Sequence, residues 1–294
     1  MILVTGAGGF VGGHVLRRLG EGTRGLVRDR SALADPPDGV ELVEGDLTEP
    51  AGLPAVLEGV RVVIHCAAIT GDRKEPSPGA YDAVNRVGTE HLVAAARAAA
   101  VERLVVMSGL GTRPAPEGTY MATRWGLEEA VRRSELPSVI LRPSVLFGAG
   151  APFVGALAGL VRSAPVVPVI AAGRRFQPFW VEDLVTCLTA SVENRRLDGR
   201  TIELGGSEQL TMREVVEEIA RAAGVRRALV PVPLGVAGVQ ARLMTATMPR
   251  PPLTPAAIEL FSFDNVTDLD ACERSFGFKA RGFREHLTEH GLEG

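Results

Sequence analysis

Residues 4–12 read VTGAGGFVG and follow directly on the apolar start of the chain. Gly6, Gly9 and Gly12 are spaced three positions apart, with two residues between each pair. Such a loop needs one glycine for a tight turn, one so that another group can come close to the loop backbone, and one so that a helix can pack against a strand. The stretch therefore predicts a strand, a glycine loop and a helix at the start of an α/β sheet.

The same alternation of strand and helix patterns continues through the first half of the chain. RVVIHCAA at residues 61–68 and RLVVMSG at residues 103–109 are apolar runs that stand between helical segments. Continuous apolar strands between helices are typical of a parallel sheet that is covered on both faces. The predicted fold class is therefore α/β, with a doubly wound parallel sheet of the Rossmann type.

The alternation of strand and helix patterns becomes less regular after Phe147, which predicts a second region. We expect residues 1–149, together with about 179–206, to form the Rossmann domain. About 150–178 and 207–294 are expected to form a smaller C-terminal α/β region that binds a substrate or a partner.

Three local patterns give sharper predictions of secondary structure. A single long helix is expected from about Ala80 to Ala99. TIELGG at residues 201–206 is interpreted as a strand that returns to the main sheet. Thr211 and Glu214 have the spacing of a capping box, in which each residue satisfies a backbone donor of the other at a helix start.

Composition and charge exclude several classes of protein. The 294 residues are 46% hydrophobic and 23% charged, with a net charge of −3, and no basic tract points to a nucleic-acid surface. No apolar run approaches the roughly 20 residues that span a bilayer, and we find no signal peptide. Cys66, Cys187 and Cys272 are odd in number and widely spaced, so we expect free thiols, no metal site and a cytoplasmic location.

The glycine loop predicts a site for a dinucleotide, because the helix that follows it points unsatisfied N–H groups at a diphosphate. The second predicted strand ends at Arg28, with Arg30 close by. A carboxylate at this position suits the ribose 2′-hydroxyl of NAD, whereas an arginine suits the 2′-phosphate of NADP. We predict NADP. The adjacent Asp29 leaves NAD open, and a solvated basic edge would also account for the arginines.

A second candidate site lies in GTYMATRWGLEEAVRR, which begins at Gly118. Tyr120 and Arg124 are four residues apart in a predicted helix, so their side chains point the same way. A free phenol titrates near roughly 10, and a nearby cation favours its ionised form. The pair is thus either an acid–base group with its modifier or an ordinary pair on a helix surface.

Seven motifs occur in a fixed order along the chain. They are TGAGGFVG, GDLT from Gly45, HCAA from His65, VNRVGTEHLVAAA from Val84, YMATRWGLEEAVR, LRPSVLFGAG from Leu141 and FQPFWVEDL from Phe176. With these motifs the chain resembles the short-chain dehydrogenase/reductase superfamily, in its extended and atypical branches. The closest likeness is to the branch of the dinucleotide-binding accessory subunit of respiratory complex I.

The resemblance implies which residues are catalytic. Tyr120 would be the acid/base, and Arg124 would stand where the family has a lysine that holds the nicotinamide ribose. Gly109 occupies the position of a catalytic Ser or Thr, so Ser108 or Thr112 would supply that hydroxyl, and Ser108 is our candidate. Arginine keeps the charge of lysine but is planar and stays protonated.

The loop and the resemblance together give the cofactor-binding residues. The candidate residues after the third strand would meet the adenine, and the candidates after the fourth strand would pass under the dinucleotide. Asn85 would brace the long helix, and residues 143–145 would lie beside the nicotinamide. The candidates are Gly6, Gly8, Gly9, Phe10, Val11, Gly12, Arg28, Arg30, Asp46, Leu47, Cys66, Ala67, Ala68, Asn85, Tyr120, Arg124, Pro143, Ser144 and Val145.

Two functions remain open from the sequence. The first is an NADP-dependent oxidoreductase or epimerase that acts on a small carbonyl or alcohol metabolite. The second is a weakly active or inactive nucleotide-binding accessory or sensor protein, which the two departures from the family pattern favour. His65 and His91 are expected to have structural roles. The substrate is not indicated, and a homodimer or docking to a larger complex stays open.

Overall fold

The computed structural model describes residues 1–33 and 35–292. Its strands are short and alternate with helices in the first half of the chain. In chain order they are β1 (Ile2–Thr5), β2 (Thr23–Val27), β3 (Val40–Glu44), β4 (Val62–His65), β5 (Arg103–Met107), β6 (Ser138–Pro143), β7 (Leu146–Phe147), β8 (Val166–Ile170), β9 (Arg175–Phe176), β10 (Phe179–Trp180), β11 (Thr201–Leu204), β12 (Leu210–Thr211) and β13 (Ala228–Val232).

Seven of these strands form one sheet in the order β11–β6–β5–β4–β1–β2–β3. β1 pairs in parallel with β2 on one side and with β4 on the other, so the order of strands reverses at β1 and β4. This reversal is the switch point of a doubly wound sheet. The predicted α/β fold with a Rossmann-type parallel sheet is confirmed, and the strand within TIELGG does join the main sheet as β11.

Helices follow most of the sheet strands. They are α1 (Phe10–Leu19), α2 (Leu53–Val56), α3 (Ala80–Asp82), α4 (Gly88–Ala98), α5 (Tyr120–Arg133), α6 (Pro152–Ser163), α7 (Val181–Ala190), α8 (Met212–Ala222), α9 (Leu234–Thr247), α10 (Pro255–Leu260), α11 (Ala271–Phe276) and α12 (Phe283–His290). In the described part of the chain, none of these helices is long and apolar enough to cross a bilayer.

The predicted long helix from about Ala80 to Ala99 is confirmed, because helical residues follow one another without a break from Ala80 to Ala98. Its middle, Ala83–Val87, is a π-helical turn that joins α3 to α4. Asn85 sits in this turn and is completely buried, with its amide bonded to backbone groups outside the helix. Such turns mark places where side-chain demands override the regular helix, and they are frequent at functional sites.

The chain divides into two compact units. The first unit is Met1–Ile69, Glu75–Arg142 and Val185–Ile202, and the second is Thr70–Lys74, Pro143–Leu184 and the described chain from Glu203 onward. The core of the first unit is a continuous apolar cluster between sheet and helices, which includes Leu3, Val63 and Leu104 from the strands and Leu92 and Leu127 from the helices. Burial of each such side chain stabilises the fold by about 1.5–3 kcal/mol.

The second unit is built around buried aromatic rings and three two-stranded pairings. β10 pairs with β7, β12 with β9, and β13 with β8. Phe147 and Phe283 pack edge to face with their ring centroids 5.2 Å apart. The predicted capping box is confirmed, because the Thr211 hydroxyl accepts from the Glu214 amide and the Glu214 carboxylate accepts from the Thr211 amide.

Candidate functional site

The candidate residues of the first unit gather at one edge of the sheet. Gly6 directly follows β1, Arg28 follows β2, Asp46 comes two residues after β3, Cys66 follows β4 and Ser108 follows β5. Because the strands are parallel, their carboxyl ends meet at the same edge, which is where doubly wound sheets bind their ligands.

The glycine loop is shaped by close packing of α1 on β1. Gly6 has φ +68°, a conformation that other residues rarely adopt, and its carbonyl accepts from the Gly9 amide at 2.9 Å. A side chain at Gly12 would overlap the Gly6 carbonyl oxygen. Only glycine at both positions allows the helix to begin this close to the strand.

The amino end of α1 has the chemistry of an anion site. The cap residue, Gly9, offers no side-chain hydrogen bond, and the first turn carries no acidic residue. The first-turn amides of a helix, here those of Phe10, Val11 and Gly12, have no partner within the helix. These N–H groups and the positive end of the helix dipole fit a diphosphate.

Small residues after β4 border the loop. A side chain at Gly6 would lie 2.8 Å from the Ala67 amide nitrogen, so the two backbones are in close contact. At Gly8, an added Cβ would lie 2.8 Å from the Ala32 methyl group.

Burial raises the pKa of the Cys66 thiol to about 12. Cys66 therefore stays a neutral thiol near pH 7 and serves as a small side chain, not as a nucleophile.

His65 links the loop strand to α4 through a directed chain of hydrogen bonds. The Thr89 hydroxyl donates to the Asn85 carbonyl at 2.6 Å, so it accepts from His65 Nε2–H at 3.0 Å. The Thr5 hydroxyl accepts from the Ala67 amide at 3.3 Å and donates to His65 Nδ1 at 2.7 Å. In the neutral imidazole with its proton on Nε2, the unprotonated Nδ1 is the acceptor of the Thr5 hydroxyl. Burial lowers the pKa of His65 from 6.5 to about 4, so His65 has the structural role predicted from the sequence.

Because His65 is neutral in the folded protein and protonates near its ordinary pKa in the unfolded chain, the unfolded chain binds more protons between about pH 6.5 and pH 4. We therefore expect stability to fall as pH falls through this window, by up to about 3 kcal/mol from this residue. Denaturant unfolding of the parent and of His65→Gln at both pH values tests this, with His290→Gln, an exposed histidine, as control. Equal pH slopes for the parent and His65→Gln would contradict it.

Asn85 connects the loop that follows β4 to the helix that carries Tyr120. Its Oδ1 accepts from the Ile69 amide at 2.8 Å, and its Nδ2 donates to the Ile69 carbonyl at 3.1 Å and to the Thr123 hydroxyl at 3.2 Å. Thr123 in turn donates to the Tyr120 carbonyl at 2.8 Å. Asn85 thus fixes the first turn of α5 relative to the sheet edge.

Tyr120 and Arg124 come together as their spacing predicts. Arg124 Nη1 donates to the Tyr120 hydroxyl oxygen at 3.3 Å, and the residues are only 5% and 8% exposed. The Tyr81 ring packs edge to face on the Tyr120 ring at 5.2 Å. Arg124 Nη2 is buried and finds no hydrogen-bond partner among residues 1–33 and 35–292. The pair is therefore not an ordinary pair on a solvated helix face.

The side-chain neighbours of the Ser108 hydroxyl are Thr112 and the buried Glu128. The Thr112 hydroxyl donates to the Gly109 carbonyl at 2.7 Å and lies 3.3 Å from the Ser108 hydroxyl. Glu128 is fully buried, and burial alone would raise its pKa. Hydrogen bonds from its neighbours, Arg142 and Ser108 among them, outweigh burial and hold the pKa below its usual range. The single Ser108 proton thus has two acceptors, the Thr112 hydroxyl and the Glu128 carboxylate, and no hydrogen bond joins Ser108 to Tyr120 among the residues described.

The arginines near the end of β2 differ in their surroundings. Arg28 is exposed, and no ion pair or hydrogen bond engages it within the described residues. Arg30 lies 3.9 Å from the carboxylate of Glu44. Arg24 is mostly buried and donates to Glu41 at 2.9 Å, so it belongs to the structure of the unit and not to a basic ligand-binding edge. Asp29 accepts from the Ser31 amide at 2.8 Å, and this bond lowers its pKa.

The residues after β3 are also engaged locally. Asp46 accepts from the amide and the hydroxyl of Thr48, both at 2.8 Å. The Leu47 side chain is buried, and its carbonyl accepts from His91 Nδ1 at 2.9 Å. His91 therefore anchors α4, in the structural role expected of it.

Pro143, Ser144 and Val145 belong to the second unit. The Ser144 hydroxyl donates to Asn265 Oδ1 at 2.6 Å, and the Val145 amide donates to the same oxygen at 3.2 Å. Their predicted place beside a nicotinamide stays a prediction.

Sequence reasoning missed several residues of the first unit. Tyr81 carries no motif signal, and it lies in α3, just before the π-helical turn, where its ring contacts Tyr120. Glu128 is charged, and charged side chains are rarely buried. The Thr5–His65 pair had a usable signal, because the parallel register of β1 and β4 places these two strand-end residues side by side.

Comparison with known proteins adds a family to this geometry. A family model described as NAD(P)H-binding matches residues 6–152, which is half of the chain. The match begins at the first glycine of the loop and includes Tyr120 and Arg124.

Two curated relatives are each 30% identical to the chain. One is a ceramide reductase of Caulobacter vibrioides, matched over 79% of this chain and 74% of that protein. The other is a (4-alkanoyl-5-oxo-2,5-dihydrofuran-3-yl)methyl phosphate reductase of Streptomyces griseus, matched over 99% of this chain and 98% of that protein. The second match covers both units.

Among solved structures, the chain is similar to the UDP-glucose 4-epimerase of Thermus thermophilus in complex with NAD. The TM-score is 0.66 at 23% identity, over 92% of this chain and 96% of that chain. At this identity the likeness supports the fold alone.

Proposed function

Because the chain belongs to the NAD(P)H-binding family of Rossmann proteins, which includes reductases and epimerases, we propose that it is an NADP-dependent oxidoreductase that interconverts a ketone and an alcohol. The observation that carries this proposal is the buried contact between Arg124 Nη1 and the Tyr120 hydroxyl. It lies in the unit whose sheet edge also presents the glycine loop.

The residues present fit a dinucleotide. The amides of Phe10 and Val11 would hold the diphosphate, and the small residues from Cys66 to Ala68 allow close approach to the backbone. Arg124 Nη2 is a buried donor without an acceptor in the described chain, a state that costs about 1–3 kcal/mol or more for a charged group. A ribose hydroxyl would supply the acceptor, so we assign Arg124 to the nicotinamide ribose.

When bound, the reduced nicotinamide supplies the hydride that reduces the carbonyl carbon of the substrate. Tyr120 donates its phenolic proton to the carbonyl oxygen, which gains negative charge during the reduction. The guanidinium of Arg124 stabilises the phenolate that is left, and solvent returns the proton afterwards. Arginine stays protonated throughout, so Arg124 acts through its charge and its hydrogen bonds and does not relay a proton.

The substrate class that we propose is a ketone on an alkyl-bearing molecule. The relative from Streptomyces griseus reduces a compound that its name describes as alkanoyl-substituted, and the relative from Caulobacter vibrioides is a reductase of ceramide. Because both are reductases, reduction is favoured over a purely accessory role. The likeness to the complex I subunit therefore contributes no function to this proposal.

Replacement of Tyr120 tests the proposal. Tyr120→Phe keeps the ring that packs on Tyr81 but removes the proton donor, so we expect NADPH-dependent ketone reduction to fall about 10²- to 10⁴-fold, far more than the affinity for NADPH. Tyr81→Phe, at the other tyrosine of the chain, is the matched control and should keep its activity. The measurement is NADPH oxidation against a panel of alkyl ketones, with affinity from calorimetry.

Two results would argue against this function. Full activity in Tyr120→Phe would show that another group donates the proton. Tight NADPH binding without turnover of any ketone by the parent protein would favour the accessory role instead.

The preference for NADP rests on Arg28. Arg28 directly follows β2, and its exposed side chain is not engaged by a carboxylate of the described residues. The neighbouring Asp29 carboxylate, in contrast, accepts a hydrogen bond from the Ser31 amide. The end of the second strand is where the adenosine ribose is recognised in this fold, and an arginine there suits a 2′-phosphate.

Arg28→Ala should therefore weaken NADPH binding and leave NADH binding unchanged. Loss of a charge-assisted hydrogen bond of about 1.5–3 kcal/mol predicts a loss of affinity of about tenfold or more for NADPH. Arg30→Ala is the comparison variant, and we expect a smaller effect because Glu44 lies beside that guanidinium. An equal loss of affinity for NADPH and NADH in Arg28→Ala would contradict the assignment of Arg28 to the 2′-phosphate. Tighter binding of NADH than of NADPH by the parent protein would contradict it as well.

A further inference from the structure

We propose that Gly109 is a positioning residue, whose lack of a side chain leaves the space in which the Arg124 guanidinium stands beside Tyr120. The inference rests on the proposed function for its consequence in catalysis, but its geometric part can be tested without any substrate.

The space at Gly109 is filled by Arg124. A Cβ built on Gly109 would lie 2.6 Å from Arg124 Nη2, 3.3 Å from Cζ and 3.9 Å from Nη1, and these are the three nearest atoms. Carbon atoms in side chains essentially never approach another heavy atom as closely as the first of these distances. Even alanine at position 109 is therefore incompatible with the observed place of the guanidinium.

The backbone of Gly109 does not itself require glycine. Its φ lies outside the left-handed region, so a left-handed backbone is not the reason for glycine here. Its carbonyl accepts from the hydroxyl of Thr112 at 2.7 Å and from the amide of Thr112 at 3.2 Å, which fixes this part of the loop. When a side chain is added, the flexible end of Arg124 is thus the part that moves.

No other contact of the described chain would return the guanidinium to Tyr120 once it is displaced. Its one hydrogen bond there goes to the Tyr120 hydroxyl, and Nη2 has none. Glu128 lies one helical turn further along α5, but Arg142 binds its two oxygens at 2.8 and 2.7 Å, and Arg132 binds one of them at 2.5 Å. This carboxylate is already paired and does not hold Arg124 in place.

The residue at position 109 therefore determines where the side chain of Arg124 can lie. With Gly109, the arginine presents one nitrogen to Tyr120 and buries the other against the loop. With any larger residue at position 109, the arginine is present but misplaced. Its charge then no longer stands beside the phenol or the site that we assign to the ribose, while the fold is left intact.

A double-mutant cycle between Gly109→Ala and Arg124→Met tests this coupling. The readouts are NADPH affinity by calorimetry, the thermal unfolding midpoint, and the crystal structure of Gly109→Ala, which locates the guanidinium directly. Gly52→Ala is the matched control, because no side chain of the described residues, its two chain neighbours aside, lies within 4 Å of a Cβ at that position, and its φ of −82° is ordinary.

We expect Gly109→Ala to weaken NADPH affinity about tenfold, as much as Arg124→Met, because both remove one charge-assisted contact. The double variant should be no weaker than either single variant, which is the signature of two changes acting through one group. Unfolding midpoints should stay close to that of the parent protein, and Gly52→Ala should bind NADPH normally.

Additive losses in the double variant would overturn the inference, as would Gly109→Ala with parental affinity or with Arg124 Nη1 still on the Tyr120 hydroxyl. A parent protein that binds no NADPH would refute the proposed function and not the coupling. In that case the position of the guanidinium in crystals of Gly109→Ala still decides whether Gly109 places Arg124.

Discussion

The contact between Gly12 and the carbonyl of Gly6 is the constraint on which the candidate site depends. It brings the first turn of α1 so close to β1 that no side chain fits between them. The unsatisfied amides at the start of the helix are thereby fixed beside the switch point of the sheet, between β1 and β4. Electrostatics then selects an anion for this place, because the loop and the first turn offer donors and no acidic side chain.

A chain of hydrogen bonds carries this fixed geometry to the second part of the site. Thr5 at the end of β1 reaches His65, His65 reaches Thr89, and the amide of Asn85 reaches α5 through Thr123. The Thr89 and Thr123 hydroxyls each donate to a backbone carbonyl, so they accept from His65 and from Asn85. The glycine loop and the tyrosine helix are consequently linked by hydrogen bonds between buried side chains, and His65 is the link between β1 and α4.

The sequence predicted those features that depend on local pattern. The sheet, the glycine loop, the return of β11 and the capping box at Thr211 follow from periodicity and residue type, and each was found. The same reasoning could not foresee the π-helical turn around Asn85, because the side chain of Asn85 bonds to a distant backbone. Nor could it reveal the fit between Gly109 and Arg124, which are 15 positions apart and meet only in the folded chain.

The amino end of α1 is the place at which we expect the diphosphate of a pyridine dinucleotide to bind. A crystal structure of the protein grown with NADPH would show this, with diphosphate oxygens within about 3 Å of the amide nitrogens of Phe10 and Val11. A dinucleotide that binds with its diphosphate away from this helix, or crystals that take up no dinucleotide at saturating concentration, would contradict it.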